Sequence, residues 1–391
     1  MKKLAVLIFV VVALIGQSQT HYKEVVNKVL EVRSPYRQYE AQRMAAEESP
    51  ILDAPEVEYS HFWGAPSEVG NRWDLRVSQG FPFPTTMVHQ LKSRKLAVEE
   101  SVLQFDADCS ALVLETQEIC SELVFYNASC ELYGMCVANA QNLVDVYERR
   151  MAAGDCSVID FNRAQMNLVT CRNKLSVARA TQSLLLEQLR ALVGNSDFTF
   201  EQSCYEGVEL PTDFEHWFDS VMVKHPQLLL IDNKVRRAQE ELRVVRSQWL
   251  PSLSVGYASE TVTGEAFRGV TVGASLPIWS NARRSRAAAA HYDACVEQGA
   301  IVKSAMEGKY RGLFAKALSL QQNLVSLQQS LLQYNSDALL LKALDAGELT
   351  LESYLLAVDF YNDAQLSVLE SQKEFEQTYL ELVIGLSVNS E

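Results

Sequence analysis

The sequence predicts a mainly helical fold that carries a small amount of membrane β-structure. Long antiparallel coiled-coil helices are expected to form a helical barrel, and four short strands per chain are expected to cross a lipid bilayer. Three observations lead to this prediction: the chain is an internal duplication, its long apolar repeats have a period of about 3.5 residues, and its strand segments alternate apolar and polar residues.

The composition excludes several classes of protein. The 391 residues include 35 Lys and Arg against 49 Asp and Glu, for a net charge of −14, with 48% hydrophobic and 21% charged residues. Such a hydrophobic fraction argues against a disordered chain. Because phosphates repel an acidic surface and no long basic run occurs, we expect no nucleic-acid partner.

The N-terminus has the pattern of a cleavable signal peptide, which we assign to residues 1–18. Lys2 and Lys3 precede an unbroken apolar run, Leu4 to Ile15, and small or polar residues follow it. That run is too short to span a bilayer as a helix. We therefore expect an exported protein whose mature form begins between Gln17 and His21.

The rest of the chain is predicted to be two structural repeats, residues 19–205 and 206–391. Four pairs of matching segments occur in the same order, at separations of 191 to 196 positions. Each repeat reads as helix, strand, strand, long helix, turn and long helix. The matching pairs begin at Ser34 and His225, at Pro55 and Pro251, at Gly80 and Ser275, and at Met151 and Leu344.

The long helices are predicted to form one antiparallel hairpin in each repeat, residues 86–194 and 280–386. Apolar residues recur at alternating steps of four and three, which is the seam of a left-handed coiled coil. Gly154 and Gly347 mark the two turns. If the ascending stretches 86–150 and 280–345 are continuous, each is on the order of 100 Å long.

The strand segments are predicted at about 55–63, 72–81, 251–259 and 269–278. Each run of about nine residues has the length of a tilted transmembrane strand, and aromatic residues cluster at the strand ends. Four strands leave open edges that cannot lie in lipid, so the chain must associate, as a dimer with eight strands or a trimer with twelve. The apolar face comprises Val57, Tyr59, His61 and Trp63, then Trp73, Leu75 and Val77, then Leu253, Val255 and Tyr257, then Val270, Val272 and Ala274.

Cysteine and histidine spacing predicts no catalytic or metal centre. Among eight cysteines, only Cys136 and Cys171 lie at nearly equal distances from a hairpin turn, 18 residues before and 17 after Gly154, and whether they are bonded is left open. The six histidines are read as having no ligand partner at i+3 or i+4, and no Cys-x-x-Cys occurs. We expect no enzyme activity, no cofactor and no metal site.

The chain resembles the TolC-type outer-membrane efflux family over both repeats. The resemblance is carried by His225-Pro-Gln-Leu, by Trp249-Leu-Pro-Ser-Leu-Ser-Val, by Gly273-Ala-Ser-Leu-Pro-Ile and by the Ala-Gly turns. Pro55-Glu-Val-Glu-Tyr through Phe83-Pro is most similar to the cation (heavy-metal) efflux branch. The resemblance implies a homotrimer with a twelve-stranded barrel in the outer membrane. It also implies a helical tunnel through the periplasm, docked through a periplasmic adaptor onto an inner-membrane pump.

The same resemblance implies two sets of site residues. At the positions where members of this family often carry aperture-closing acidic residues, this chain has Ser353 and Leu356. Other side chains are therefore expected to form the aperture here. The expected adaptor-docking residues at the hairpin tips are Arg150, Gly154, Asp160, Ala164, Gly347, Ser353 and Ala357, and the aperture candidates are Asp160, Arg163, Glu352, Leu356 and Asp359.

Two other functions are compatible with at least part of the pattern of helices and strands. A structural or adhesive trimeric coiled-coil protein of the cell surface would explain the helices but not the strands. A duct for type I polypeptide secretion would explain both. The sequence leaves the cargo open among metal ions, drugs and polypeptides, and it leaves open which pump drives export.

Overall fold

The computed structural model describes residues 20–48, 52–66, 69–262, 264–276, 281–334 and 337–383. The predicted signal peptide, the last residues of the fourth predicted strand and residues 384–386 of the second hairpin lie outside these ranges. The chain forms two compact units, and each draws on both sequence repeats. Of the described residues, those within 1–34, 108–225 and 306–391 form the first unit, and those within 35–107 and 226–305 form the second.

In each half of the chain two helices precede the strands, where the sequence predicted one, and the long helices follow the strands as predicted. The helices are α1 (Thr20–Arg33), α2 (Tyr36–Glu47), α3 (Pro84–Ala152), α4 (Val158–Val193), α5 (Phe214–Lys224), α6 (Pro226–Ser247), α7 (Asn281–Gln333), α8 (Asp337–Asp345) and α9 (Leu351–Val383). The strands are β1 (Glu56–Trp63), β2 (Asn71–Phe81), β3 (Ser252–Val262) and β4 (Glu265–Ser275).

The second unit contains a four-stranded antiparallel sheet in the order β1-β2-β3-β4. Gly264, with φ of +93°, lies in the tight connection between β3 and β4, where a positive φ favours glycine. Ion pairs join the start of α3 to α6: Glu99 lies 3.2 Å from Arg236, and Glu100 lies 2.9 Å from Arg237. Both ion pairs lie within the second unit, and each connects a helix of one sequence repeat to a helix of the other.

The first unit is a helical bundle with two apolar clusters. One cluster packs α1 against α3 and α4 through Tyr22, Val29, Leu123 and Leu189. The other lies near the hairpin turns and includes residues of both hairpins. Among the described residues, no helix combines the length and apolar character needed to cross a bilayer.

Helix α3 runs unbroken for 69 residues. The second ascending stretch, 280–345, contains α7 and α8, and residues 335–336 between these helices lie outside the described ranges.

Candidate functional sites at the hairpin turns and on the sheet

The turn of the first hairpin is a Schellman motif. Gly154 has φ of +80°, in the left-handed region that glycine adopts without a steric penalty. The Asp155 N–H donates to the Arg150 carbonyl at 2.8 Å, and the Gly154 N–H donates to the Met151 carbonyl at 3.0 Å. These bonds satisfy the last carbonyls of α3 and end the helix at a defined residue.

The second hairpin turns in the same way. Gly347 has φ of +73°. The Glu348 N–H donates to the Ala343 carbonyl at 2.9 Å, and the Gly347 N–H donates to the Leu344 carbonyl at 3.1 Å. The two turns therefore share one backbone geometry, as the matching Ala-Gly sequences predicted.

Each returning helix is capped three residues after its glycine. The Asp160 N–H donates to the Ser157 hydroxyl at 3.1 Å, and that hydroxyl lies 2.8 Å from the Asp160 carboxylate. At the start of α9 the Ser353 N–H donates to the Thr350 hydroxyl at 3.2 Å. Asp160 and Ser353, both predicted site residues, thus hold equivalent positions in the first turn of their helices.

The predicted docking residues differ in how far they reach the surface. Arg150, Gly154, Gly347 and Ser353 are exposed, and Asp160 and Ala357 are half-buried. Ala164 is 0% exposed and belongs to the apolar cluster near the turns. Its expected role as a surface contact is therefore corrected: its small side chain fills the core where α3 and α4 approach each other.

The two hairpin ends share one apolar core. Leu344 and Leu351 of the second hairpin join Leu143, Tyr147 and Leu168 of the first in a single cluster of buried side chains. The ends of the four helices are thereby held together by burial of apolar surface.

Charged side chains also link the hairpins near their turns. Arg163 Nη1 lies 3.0 Å from Glu352 Oε2, and Lys174 Nζ lies 4.0 Å from Asp363 Oδ1. Arg163 and Glu352 were both predicted as aperture candidates, but their pairing and the second pair were not predicted. Of the other candidates, Asp359 is exposed and Leu356 is 59% exposed.

Cys136 and Cys171 are both free thiols in this structure. They line a small cavity in the first unit together with Asn139, Asn167 and Tyr354. Burial raises the pKa of Cys136 to about 11, with the adjacent Cys171 acting in the same direction. Both side chains are therefore neutral at physiological pH, and the register argument correctly brought them to the same place.

The sheet has two chemically different faces. On one face the strand register aligns Tyr59 with Leu75 and Val255 with Val272, and it extends the apolar surface across all four strands. On the other face Arg72 lies 3.0 Å from Glu260, with its Nη2 3.1 Å from Asp74, and Arg76 lies 3.5 Å from Glu58.

The outer strands of the sheet are open. Within the described residues, β1 pairs only with β2 and β4 pairs only with β3. Within the described chain the apolar face and the outer strand edges are left uncovered, an arrangement that is unfavourable in water.

One sequence interpretation about histidine is wrong. Cys295 follows His291 by four residues on α7, and Cys295 Sγ lies 3.8 Å from His291 Nε2. The sequence pattern that indicates this pair is His-x-x-x-Cys, which differs from both a His–His pair and Cys-x-x-Cys. No group of three or more His, Cys, Asp or Glu side chains suited to a metal ion occurs in the ranges that the structure describes.

Comparison with solved structures identifies the fold. The outer-membrane channel OprN aligns with a TM-score of 0.80 and 14% identity over 94% of this chain and 90% of its own. The outer membrane protein VceC of Vibrio cholerae aligns with 0.79 and 13% identity over 94% and 96%. The Campylobacter jejuni CmeC outer membrane channel aligns with 0.76 and 15% identity over 94% and 86%.

These likenesses confirm the predicted fold class of long antiparallel helices combined with a small antiparallel sheet. No protein-family profile and no curated protein sequence matches the chain. This chain is 13–15% identical in sequence to each of the three channels. Sequence identity therefore does not assign the chain to one branch of these channels.

Proposed function

We propose that this protein is an outer-membrane channel, the exit duct of a tripartite efflux system. The two-faced sheet is the observation that carries the proposal. Its continuous apolar face suits contact with lipid, and its charged face suits a water-filled lumen. The likeness to the fold of solved outer-membrane channels supports the same conclusion.

Closure of the sheet defines the oligomer that we propose. Three chains contribute twelve strands, and each β1 edge then pairs with a β4 edge of a neighbouring chain. The helical hairpins continue as a tunnel through the periplasm. In this arrangement the ion pairs between Arg72, Asp74 and Glu260 line the lumen of the barrel.

The hairpin turns are the proposed docking site for a periplasmic adaptor, which in turn contacts an inner-membrane pump. Exposed backbone at Gly154 and Gly347 and the short side chain of Ser353 allow close approach of a partner's helix ends. Because Ala164 is buried, the docking surface that we propose excludes it.

The proposed aperture lies near the same turns. Arg163 and Glu352 form a charge pair in place of the acidic residues that relatives are expected to use, and exposed Leu356 and Asp359 complete the set. Conduction in this proposal is passive and requires no cofactor. The cargo stays open among metal ions, drugs and polypeptides, with the cation-efflux branch suggested by the first-repeat motifs.

Measurement of assembly and conductance tests the proposal. The purified full-length protein should be recovered from the outer-membrane fraction, behave as a trimer by light scattering in detergent, and form ion-conducting pores in planar lipid bilayers. A monodisperse monomer that stays in solution without detergent would contradict both the barrel and the duct.

A further inference from the structure

Two metal-ligating side chains lie one helical turn apart on α7, in the second unit. His291 and Cys295 occupy positions i and i+4, and Cys295 Sγ lies 3.8 Å from His291 Nε2. Residues at this spacing lie on the same side of an α-helix, so the backbone itself holds the two ligands together.

The separation of the two atoms suits one shared metal ion. A Zn²⁺ ion lies about 2.05 Å from a histidine nitrogen and about 2.3 Å from a cysteine sulfur, so tetrahedral geometry places these ligands roughly 3.6 Å apart and trigonal geometry about 3.8 Å apart. The observed distance therefore needs little side-chain movement for an ion to bind.

The helix around the pair is open to an ion from solvent. His291 is exposed and Cys295 is half-buried. Around His291 the residues three or four positions away are small, namely Ala287, Ala288 and Ala294, whereas Tyr292 and Gln298 lie three positions from Cys295. The small neighbours of His291 leave space for a hydrated cation that keeps water as its remaining ligands.

We propose that His291 and Cys295 form a two-ligand binding site for a cation that prefers nitrogen and sulfur, of the class of Zn²⁺. Neutral imidazole and thiolate favour such ions over Mg²⁺ or Ca²⁺, which prefer oxygen. On binding, the thiol releases its proton to solvent, the sulfur and the imidazole nitrogen each donate a lone pair, and no oxidation occurs.

Titration with zinc and cobalt tests this site. The full-length protein, freed of any affinity tag and kept reduced, is titrated with Zn²⁺ by calorimetry and with Co²⁺ by absorption spectroscopy. We expect one ion per chain and a thiolate-to-cobalt charge-transfer band. Cys295→Ser and His291→Gln should each weaken Zn²⁺ binding by roughly tenfold or more, and Cys295→Ser should remove the band.

Matched variants separate this site from the other thiols and histidines. Cys204 and His216 are exposed, and neither has a His or Cys partner four residues away. Cys204→Ser and His216→Gln should leave Zn²⁺ affinity unchanged. Binding that survives both Cys295→Ser and His291→Gln, or no Zn²⁺ binding by the wild-type protein, would overturn the proposal and leave the pair as a thiol–imidazole hydrogen bond.

Discussion

Arg163 Nη1 contacts Glu352 Oε2 at 3.0 Å, and this ion pair joins the first hairpin to the second close to both turns. Arg163 is the sixth residue of α4, and Glu352 is the second residue of α9. Because both side chains are largely exposed, water screens their attraction. The pair therefore adds little to stability, and it links the two returning helices close to where they begin.

Removal of this ion pair should change conductance more than stability. Glu352→Gln is expected to lower the free energy of unfolding by less than about 1 kcal/mol. It should raise the conductance of the resting channel, because the hairpin ends lose a direct link. Single-channel recording and thermal unfolding measure the two effects.

A control for this variant lies in α1, where Lys28 Nζ is 3.0 Å from Glu24 Oε1 on an exposed helix surface. Glu24→Gln should lower the free energy of unfolding by a similarly small amount and should leave conductance unchanged. Equal conductance in the wild type and in Glu352→Gln would show that the pair takes no part in the aperture.

Bulky residues at the turns should block docking without preventing assembly. Gly154→Trp and Gly347→Trp each place a large side chain where the glycine Cβ position has no atom within 4 Å, so packing inside the chain is preserved. Trimer formation should persist, and binding to a purified adaptor and export should be lost.

Gly154→Ala is the matched control for docking. Alanine has the same unfavourable conformational free energy of about 1–2 kcal/mol in the left-handed backbone region, but it adds little bulk. It should retain adaptor binding, as measured by co-purification with the adaptor. Normal export by both tryptophan variants would remove the turns from the docking surface.

A positive charge should reduce membrane insertion at one position of β4 and should be tolerated at the next. Val270 is 76% exposed on the apolar face, and Thr271 lies on the other face of the same strand. Val270→Arg would bring a charge into lipid at a cost of about 2–4 kcal/mol, whereas Thr271→Arg would face the lumen. Outer-membrane yield and heat-resistant trimer on gels should fall only for Val270→Arg, and equal yields would contradict the assigned lipid face.

Acidification should weaken the first unit through His225. Burial lowers its pKa from 6.5 to about 4, and Lys309 acts in the same direction. The unfolded chain therefore binds a proton at a pH where the folded chain does not, so stability falls as pH drops from about 6.5 toward 4. The expected loss is of the order of 2–3 kcal/mol.

The matching measurement compares thermal unfolding of the wild type and His225→Gln between pH 4 and 7. The difference between the two proteins isolates this histidine from other titrating groups, such as Asp106. Wild-type stability should fall more steeply on acidification, and parallel pH profiles would refute the assignment.

Local patterns predicted the first two strands and the turns well, whereas β4 begins at Glu265, four residues before its predicted start. Alternation placed β1 and β2 within one residue of their observed bounds, and Gly154 and Gly347 lie at both turns. The end of β3 was predicted too early because Ser259, Glu260 and Thr261 interrupt the apolar pattern. These residues pair with β4 through backbone bonds that do not depend on side-chain polarity.

Contacts between residues that lie far apart in the chain could not be predicted from local sequence patterns. Nothing in the local pattern distinguishes Arg163 and Glu352 from other exposed charges, because their pairing depends on how the two hairpins pack. The burial of Ala164 has the same origin: a small residue near a turn suits either a surface contact or a tight core. Only the packed structure separates those alternatives.

The two matching turns also bear on the order in which the chain acquires its structure. Bonds such as Asp155 to Arg150 and Glu348 to Ala343 join residues five positions apart, and each hairpin can close from its turn outward with a small entropic cost. In the sheet, by contrast, Arg72 pairs with Val262 and Phe81 with Leu253, which are almost half the chain apart. The union of β2 with β3 therefore closes a loop of more than 170 residues, and a newly exported chain can complete its helical hairpins before the two halves of its sheet meet.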